Sequence, residues 1–244
     1  MKLAAISDVH IKSPNDEAYK LLLSFFNHPQ VLTADYILLL GDIFDLMVGP
    51  HDEYLDLYSE IFHAMGRLHQ QGKKIYYFEG NHDVHLEKLF KKIWNDNEIV
   101  LSYRPVVEEI EGKTYYFSHG DEHEIENIGY HRYIRFIRSQ PLKIVADYFM
   151  PYSVLNFFGE RASKLSRKKG SRKFDPEEVK NRFRSGVQTI TKGRYDFVLG
   201  GHSHVQDEFK FSDSETVYLN NGFALRTNTF LLIENHEPKF VSLT

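Results

Sequence analysis

Asp8 and His10 stand two positions apart, directly after the apolar run LAAIS. In a continuing strand, positions i and i+2 share a face. A carboxylate and an imidazole are therefore expected to aim at one point. The situation recurs along the chain. LLLGD ends in Asp42, YYFEGNHD carries Asn81, His82 and Asp83, YYFSHGD carries His119, and FVLGGHSH carries His202 and His204. Each polar cluster sits where an apolar run stops, and ligands of open α/β sheets gather at the carboxyl ends of strands. Taken singly, an Asp after Gly reads as a turn residue and a His at a strand end as a hydrogen-bonded structural residue. Taken together, Asp8, His10, Asp42, Asn81, His119, His202 and His204 offer oxygen and imidazole donors suited to Mn, Fe, Zn, Co or Ni. They outnumber the roughly three protein ligands of a catalytic zinc and match a pair of ions sharing one carboxylate. Two ions ~3.5–4 Å apart form a clamp for in-line displacement at phosphorus.

The elements that must position these residues are legible as short apolar runs at 3–6, 36–40, 75–78, 115–117, 197–199, 217–219 and 230–233. Several are apolar throughout, as expected of strands covered on both faces. Amphipathic helices lie between the early runs. One begins near Asn15 with Ala18, Leu21, Leu22, Phe25 and Phe26 on one face. Another covers 53–71 with Leu55, Tyr58, Ile61, Phe62, Met65 and Leu68, and Gly72 ends it. Strand–helix–strand alternation predicts right-handed crossovers and parallel pairing. Later runs crowd together around Glu111-Gly112 and Asn221-Gly222, which predicts hairpins and a mixed second sheet. The segment at about 129–193 differs: it is aromatic and basic, punctuated by Pro141 and Pro151, and reads as a helical insertion. Asp175 and Pro176 mark a helix start within it.

The chain has 244 residues, 42% of them hydrophobic and 26% charged, with no cysteine. Disulfides and Cys-ligated metal sites are excluded. No apolar run approaches the ~20 residues that span a bilayer. The first strand begins by Leu3, which leaves no room for a leader peptide, so a cytoplasmic protein is expected. The net charge of −4 argues against a chain that coats nucleic acid, and no stable nucleic-acid partner or obligate protein partner is expected. The charge is uneven, however: residues 131–184 hold 14 Lys and Arg against 5 Asp and Glu. That stretch reads either as a solvated helical face or as a basic lid over an anionic substrate or membrane surface.

The order D-x-H, GD, GNHD, HGD, GH-x-H resembles that of the calcineurin-like metallophosphoesterases, with blocks at 8–10, 41–42, 80–83, 119–121 and 201–204. The resemblance spans nearly the whole chain. It implies an α/β fold, a four-layer αββα sandwich, here as one domain over 1–244 with a helical cap inserted. By position, it implies a first ion on Asp8, His10 and His204, a second on Asn81, His119 and His202, and Asp42 as the bridge. His82 would meet the substrate phosphate and protonate the leaving oxygen, with Asp83 orienting its ring. Manganese is the leading expectation for both divalent ions.

GDIFDLMVGP and the insert between HGD and GHSH are further similar to the UDP-2,3-diacylglucosamine pyrophosphatases of lipid A synthesis. That likeness implies a lipid-linked UDP-sugar substrate, cleaved to UMP and 2,3-diacylglucosamine 1-phosphate beside an anionic membrane. Asn127, Tyr130 and Tyr133 occupy places similar to the group's polar and aromatic contacts. Tyr148, Phe149, Tyr152, Leu155, Phe157 and Phe158 would line an acyl trough. Arg161, Lys164, Arg167, Lys168 and Lys169 would supply cations for the diphosphate. Position 82 is a departure: the best-known members of that group carry Arg there, and histidine is the wider pattern. A two-metal phosphodiesterase or phosphatase for another nucleotide, nucleic-acid or phospholipid-type substrate is the alternative.

Overall fold

The computed structural model describes residues 1–94, 98–155, 157 and 175–244. Its strands are β1 (Lys2–Ile6), β2 (Tyr36–Leu39), β3 (Met47–Val48), β4 (Lys74–Phe78), β5 (Asp83–Val84), β6 (Ile99–Ser102) and β7 (Val106–Ile110). They continue with β8 (Lys113–Phe117), β9 (Phe197–Gly200), β10 (Asp207–Lys210), β11 (Val217–Asn220), β12 (Thr229–Glu234) and β13 (Glu237–Ser242). A six-stranded sheet runs β13-β12-β1-β2-β4-β6 and a five-stranded sheet runs β10-β11-β9-β8-β7. β1, β2, β4 and β6 pair in parallel, as the strand–helix alternation requires. The second sheet is mixed: β8, β9 and β11 are parallel, flanked by antiparallel β7 and β10.

Side-chain alternation makes this a layered molecule. Along β1, Leu3 and Ala5 turn toward the second sheet and pack with Tyr115, Phe117, Leu199 and Leu219. Ala4 and Ile6 turn the other way, onto α1 (Glu17–Asn27) and α4 (Ser59–Gln70). A third cluster, with Tyr116, Val198 and Tyr218, seats Phe183 and Val187 of α8 (Pro176–Thr191) on the far face of the second sheet. Three apolar layers between four layers of secondary structure give the αββα sandwich. The helices hold by this burial: fully buried Leu22, Phe25 and Phe26 of α1 contribute about 1.5–3 kcal/mol each.

The differences from expectation are local. α1 is capped by Asp16, whose carboxylate accepts from Tyr19 N, while Asn15 takes a positive φ of 70° ahead of the cap. The stretch expected as one helix over 53–71 is two, α3 (Asp52–Leu57) and α4, broken at Tyr58. Glu111-Gly112 does close a hairpin, with φ of 49° and 77°. Asn221-Gly222 does not. It leads into α9 (Ala224–Thr227), and the hairpin of β12 and β13 turns instead at Asn235-His236, with φ of 52° and 67°. The insertion between β8 and β9 carries α6 (Ile128–Ile137), α7 (Gln140–Tyr148) and α8.

Candidate metal centre

β1 ends at Ile6, so Asp8 and His10 do not continue a strand. Their convergence has another cause. Asp8, His10, Asp42, His202 and His204 all have left-handed backbones, with φ of 50°, 55°, 51°, 66° and 57°. Each such non-glycine residue costs about 1–3 kcal/mol and persists only where its surroundings over-determine it. Here a backbone ladder does so: Asp8 N donates to Gly41 O and His10 N to Asp42 O, at 3.1 and 3.0 Å. The strain bends neighbouring loops so that their side chains meet. Two glycines permit the approach. A Cβ on Gly80 would lie 2.0 Å from Asp42 Oδ1, and one on Gly201 2.6 Å from Asp8 Oδ2. That is a physical reason for glycine before Asn81 and before His202.

All seven predicted donors come together. Donor atoms of Asp8, His10, Asp42 and His204 lie within 4.8 Å of one another, and so do those of Asp42, His119 and His202. His10 Nε2 is 3.2 Å from His204 Nε2, and His204 Nε2 is 3.4 Å from Asp8 Oδ1. Asn81 Oδ1 is 3.4 Å from His119 Nε2. Asp42 belongs to both sets. Its Oδ1 accepts from the N–H groups of Asn81 and His82, at 2.8 and 2.9 Å. Its Oδ2 stands 3.8 Å from His10 Nε2 and 3.8 Å from His119 Nε2.

The electrostatics suit a cation. Burial would raise Asp42 and Asp8, yet the imidazoles around them outweigh it and hold both carboxyls below the usual range. Burial would lower His119, but the charges of Asp42, Asp121 and Asp8 and the Leu40 carbonyl raise it to about 9. His10 is pushed down to about 4 by burial. His119 Nδ1 lies 2.8 Å from Leu40 O; a carbonyl only accepts, so Nδ1 carries the proton and Nε2 is left as a ligand nitrogen. Among the described residues, His10 Nδ1 is buried without a hydrogen-bond partner. Two fully buried carboxylates among imidazole nitrogens are a donor set that fits a divalent first-row ion.

His82 is half-buried, its ring 4.9 Å from that of His10. Its Nδ1 donates to the main-chain carbonyl of Asp45 at 2.8 Å, which leaves Nε2 for a ligand. This corrects the role expected of Asp83. The Asp83 carboxylate accepts from Asp42 N, Ile43 N, Gly80 N and the Tyr77 hydroxyl, at 3.1, 2.9, 2.6 and 2.6 Å. It ties the GD and GNHD loops together, and Asp45 holds the His82 ring. Asp83→Asn places an amide N–H against these donors. It is expected to cost about 1–3 kcal/mol in denaturant unfolding while leaving the pH dependence of kcat unchanged.

The expected substrate contacts divide. Tyr130 reaches the centre, its hydroxyl donating to Asn81 Oδ1 at 3.2 Å. Asn127 caps α6 by accepting from Tyr130 N at 3.0 Å, a structural task that corrects its expected role. Tyr152 and Leu155 are also corrected: Leu155 is buried, and Tyr152 packs against the first core and 5.4 Å from the Tyr54 ring, so both anchor the insert. Tyr148, Phe149 and Phe157 are exposed, and Tyr133 is half exposed. Phe158, Arg161, Lys164, Arg167, Lys168 and Lys169 lie outside the described residues.

Other residues enter that sequence reasoning passed over. Arg138, closing α6, pairs with Asp121 at 2.9 Å and donates to the carbonyls of Glu79 and Gly80, both at 3.1 Å. Glu124 Oε2 is 3.4 Å from His202 Nε2. Asp45 completes a third donor group with His10 and His82. Only nearness to the recognised blocks, in GDIFD and HGDEHE, hinted at the two acids.

The family profile described as calcineurin-like phosphoesterase matches residues 1–206. The chain belongs to that family. This phosphoesterase is similar, at 27% identity over 82% of its length and 80% of the relative's, to UDP-2,3-diacylglucosamine hydrolase of Photorhabdus laumondii. It is 30% identical to the protein of that name from Aeromonas hydrophila, over 59% of this chain and 57% of that one. For the one from Yersinia pseudotuberculosis (serotype O:1b, strain IP 31758), the figures are 31% over 50% and 48%. These last two alignments span about half of each relative. Among solved structures, an archaeal phosphodiesterase aligns over 99% of both chains with a TM-score of 0.51 and 14% identity, a likeness of fold. The protein is thus a metal-dependent phosphoester hydrolase.

Proposed function

We propose that the protein uses two divalent cations to hydrolyse the pyrophosphate of UDP-2,3-diacylglucosamine, giving UMP and 2,3-diacylglucosamine 1-phosphate. The observation that carries the two-ion part is the position of Asp42 Oδ2, 3.8 Å from an imidazole of each donor set. Asp8, His10 and His204 would hold one ion, Asn81, His119 and His202 the other, and Asp42 both. When bound, such ions supply Lewis-acid polarisation of phosphoryl oxygens and acidify water toward neutral pH.

The chain's own groups do the rest. His82 Nε2, with Nδ1 committed to the Asp45 carbonyl, is free to hydrogen-bond a phosphoryl oxygen and pass a proton to the leaving oxygen. Tyr130, its ring 4.9 Å from that of His202, stands at the cap side of the centre and keeps its proton, because burial and nearby carboxylates raise it. Asp83 keeps the two loops in register.

The lipid part is supported by the names of the similar proteins and by the cap surface. Ile128, Phe136, Ile144, Tyr148 and Phe149 on and beside α6 and α7 are 50–73% exposed, an apolar area of the kind that meets lipid or a partner. No helix among the described residues is long and apolar enough to cross a membrane, and the reading places the protein peripherally on an anionic bilayer. The alternative, a phosphodiesterase for another substrate, is favoured by His82 in GNHD. The deciding experiment is a panel of UDP-2,3-diacylglucosamine in mixed micelles, simple nucleotides and a single-stranded oligonucleotide; preference for either of the last two removes the lipid reading. A Phe136→Ser/Phe149→Ser double variant is expected to raise KM for the micellar substrate about tenfold. Turnover of bis-p-nitrophenyl phosphate should stay unchanged; equal losses on both substrates argue that the face is structural.

A further inference from the structure

Glu124 is a buried acid that the chemistry above leaves unused. It closes the short helical turn Asp121–His123 that begins at the Asp of HGD. One carboxylate oxygen, Oε2, is 3.4 Å from His202 Nε2. The other, Oε1, pairs at 3.1 Å with the guanidinium of Arg182 on α8, the helix that closes the insert. The Asn127 side chain also hydrogen-bonds this carboxylate. An ionised carboxylate only accepts, so His202 Nε2 carries the proton in this contact and Nδ1 is the lone-pair nitrogen of the ring. A hydrogen bond to the far nitrogen of a ligating imidazole fixes its tautomer and orientation and raises its basicity.

The two donor sets differ in this support. In the set of Asn81, His119 and His202, His119 is braced by Leu40 O, His202 by Glu124, and Asn81 is touched by Tyr130. In the other set, His10 Nδ1 has no hydrogen-bond partner among the described residues, its nearest carboxylate oxygen, Asp45 Oδ1, standing 3.7 Å away. The braces from Tyr130 and Arg182 come from the insert. Among the described residues, the side-chain hydrogen bonds and ion pairs of Asp8, His10 and His204 run to one another, to Asp42 and Asp45 and to the His202 N–H, and not to the insert.

We propose that Glu124, oriented by Arg182, is a positioning residue for the ion held by Asn81, His119 and His202, so that the insert tunes one of the two ions and not the other. This rests on the two-ion reading for the role of His202. By linkage, whatever binds the insert and shifts α8 changes the affinity for that ion, and the ion changes the affinity for it.

The test is calorimetric titration of Mn2+ into the full chain as wild type, Glu124→Ala and Glu124→Gln. Glu124→Ala is expected to weaken one of two binding events about 10–100-fold and leave the other unchanged. Glu124→Gln, which keeps an acceptor oxygen for Nε2–H and the same shape, is expected to fall between it and wild type. In the Co2+-loaded protein, an exchangeable imidazole N–H resonance present in wild type should be lost or shifted in Glu124→Ala. A Glu124→Ala protein that binds both ions like wild type, or loses both equally, overturns the proposal. A wild type that binds one ion overturns the two-ion reading instead, and Glu124 is then judged on whether that one event weakens.

Discussion

Asp42→Ala is expected to lower phosphodiester turnover about 10³-fold or more. Metal-assisted charge stabilisation is worth several kcal/mol, and each 1.36 kcal/mol is tenfold in rate. Losing this one carboxylate removes the group that, among the described residues, both donor sets share. Alanine also strips the acceptor from the N–H groups of Asn81 and His82, so part of the loss reflects a loosened loop. Asp42→Asn separates the two effects: it keeps Oδ1 as the acceptor and removes the charge. If charge between two ions is what matters, Asn is nearly as damaging to turnover as Ala while its denaturant midpoint falls less, because the acceptor for the Asn81 and His82 N–H groups is kept. Manganese-dependent kinetics and metal content measure both; wild-type turnover in Asp42→Asn would contradict the role.

His82→Ala is expected to lower kcat by about 10²–10⁴-fold, the usual worth of a positioned acid–base group, with metal content unchanged. The geometry separates His82 from the ligands. Its Nδ1 is spent on the Asp45 carbonyl, and Nε2 alone remains to meet substrate. The loss should shrink with a leaving group that needs no proton, such as p-nitrophenolate, and persist with an alkyl phosphate. A variant that instead releases metal in proportion to its lost activity would make His82 a ligand, in line with its place beside His10 and Asp45.

What was legible in the sequence follows from physics at two ranges. Apolar runs at 3–6, 36–40, 75–78, 115–117, 197–199, 217–219 and 230–233 coincide with β1, β2, β4, β8, β9, β11 and β12 because buried strands need near-continuous hydrophobicity. β7, β10 and β13 are edge strands whose sequences, VVEEI, DEFK and EPKFVS, mix polar and apolar residues with no continuous apolar run, and two-residue β3 and β5 are too short to leave a pattern. The seven donors were legible because chemistry restricts them to Asp, Asn and His at strand ends.

Asp8 and His10 meet through left-handed backbone bends, not strand alternation, and such bends write no periodicity. Asp83 and Asn127 carried the right residue types for chemistry but serve the backbone, as Asp and Asn commonly do. Glu124, Asp45 and Arg138 escaped notice because their roles depend on partners far along the chain, such as Arg182 for Glu124 and Glu79 for Arg138.

Diffraction from a crystal grown with manganese, recorded at the manganese absorption edge, tests the central claim most directly. Two anomalous peaks are predicted, one on each side of Asp42 Oδ2, the first within reach of Asp8, His10 and His204 and the second of Asn81, His119 and His202. A single peak, or two with Asp42 touching only one, would contradict it.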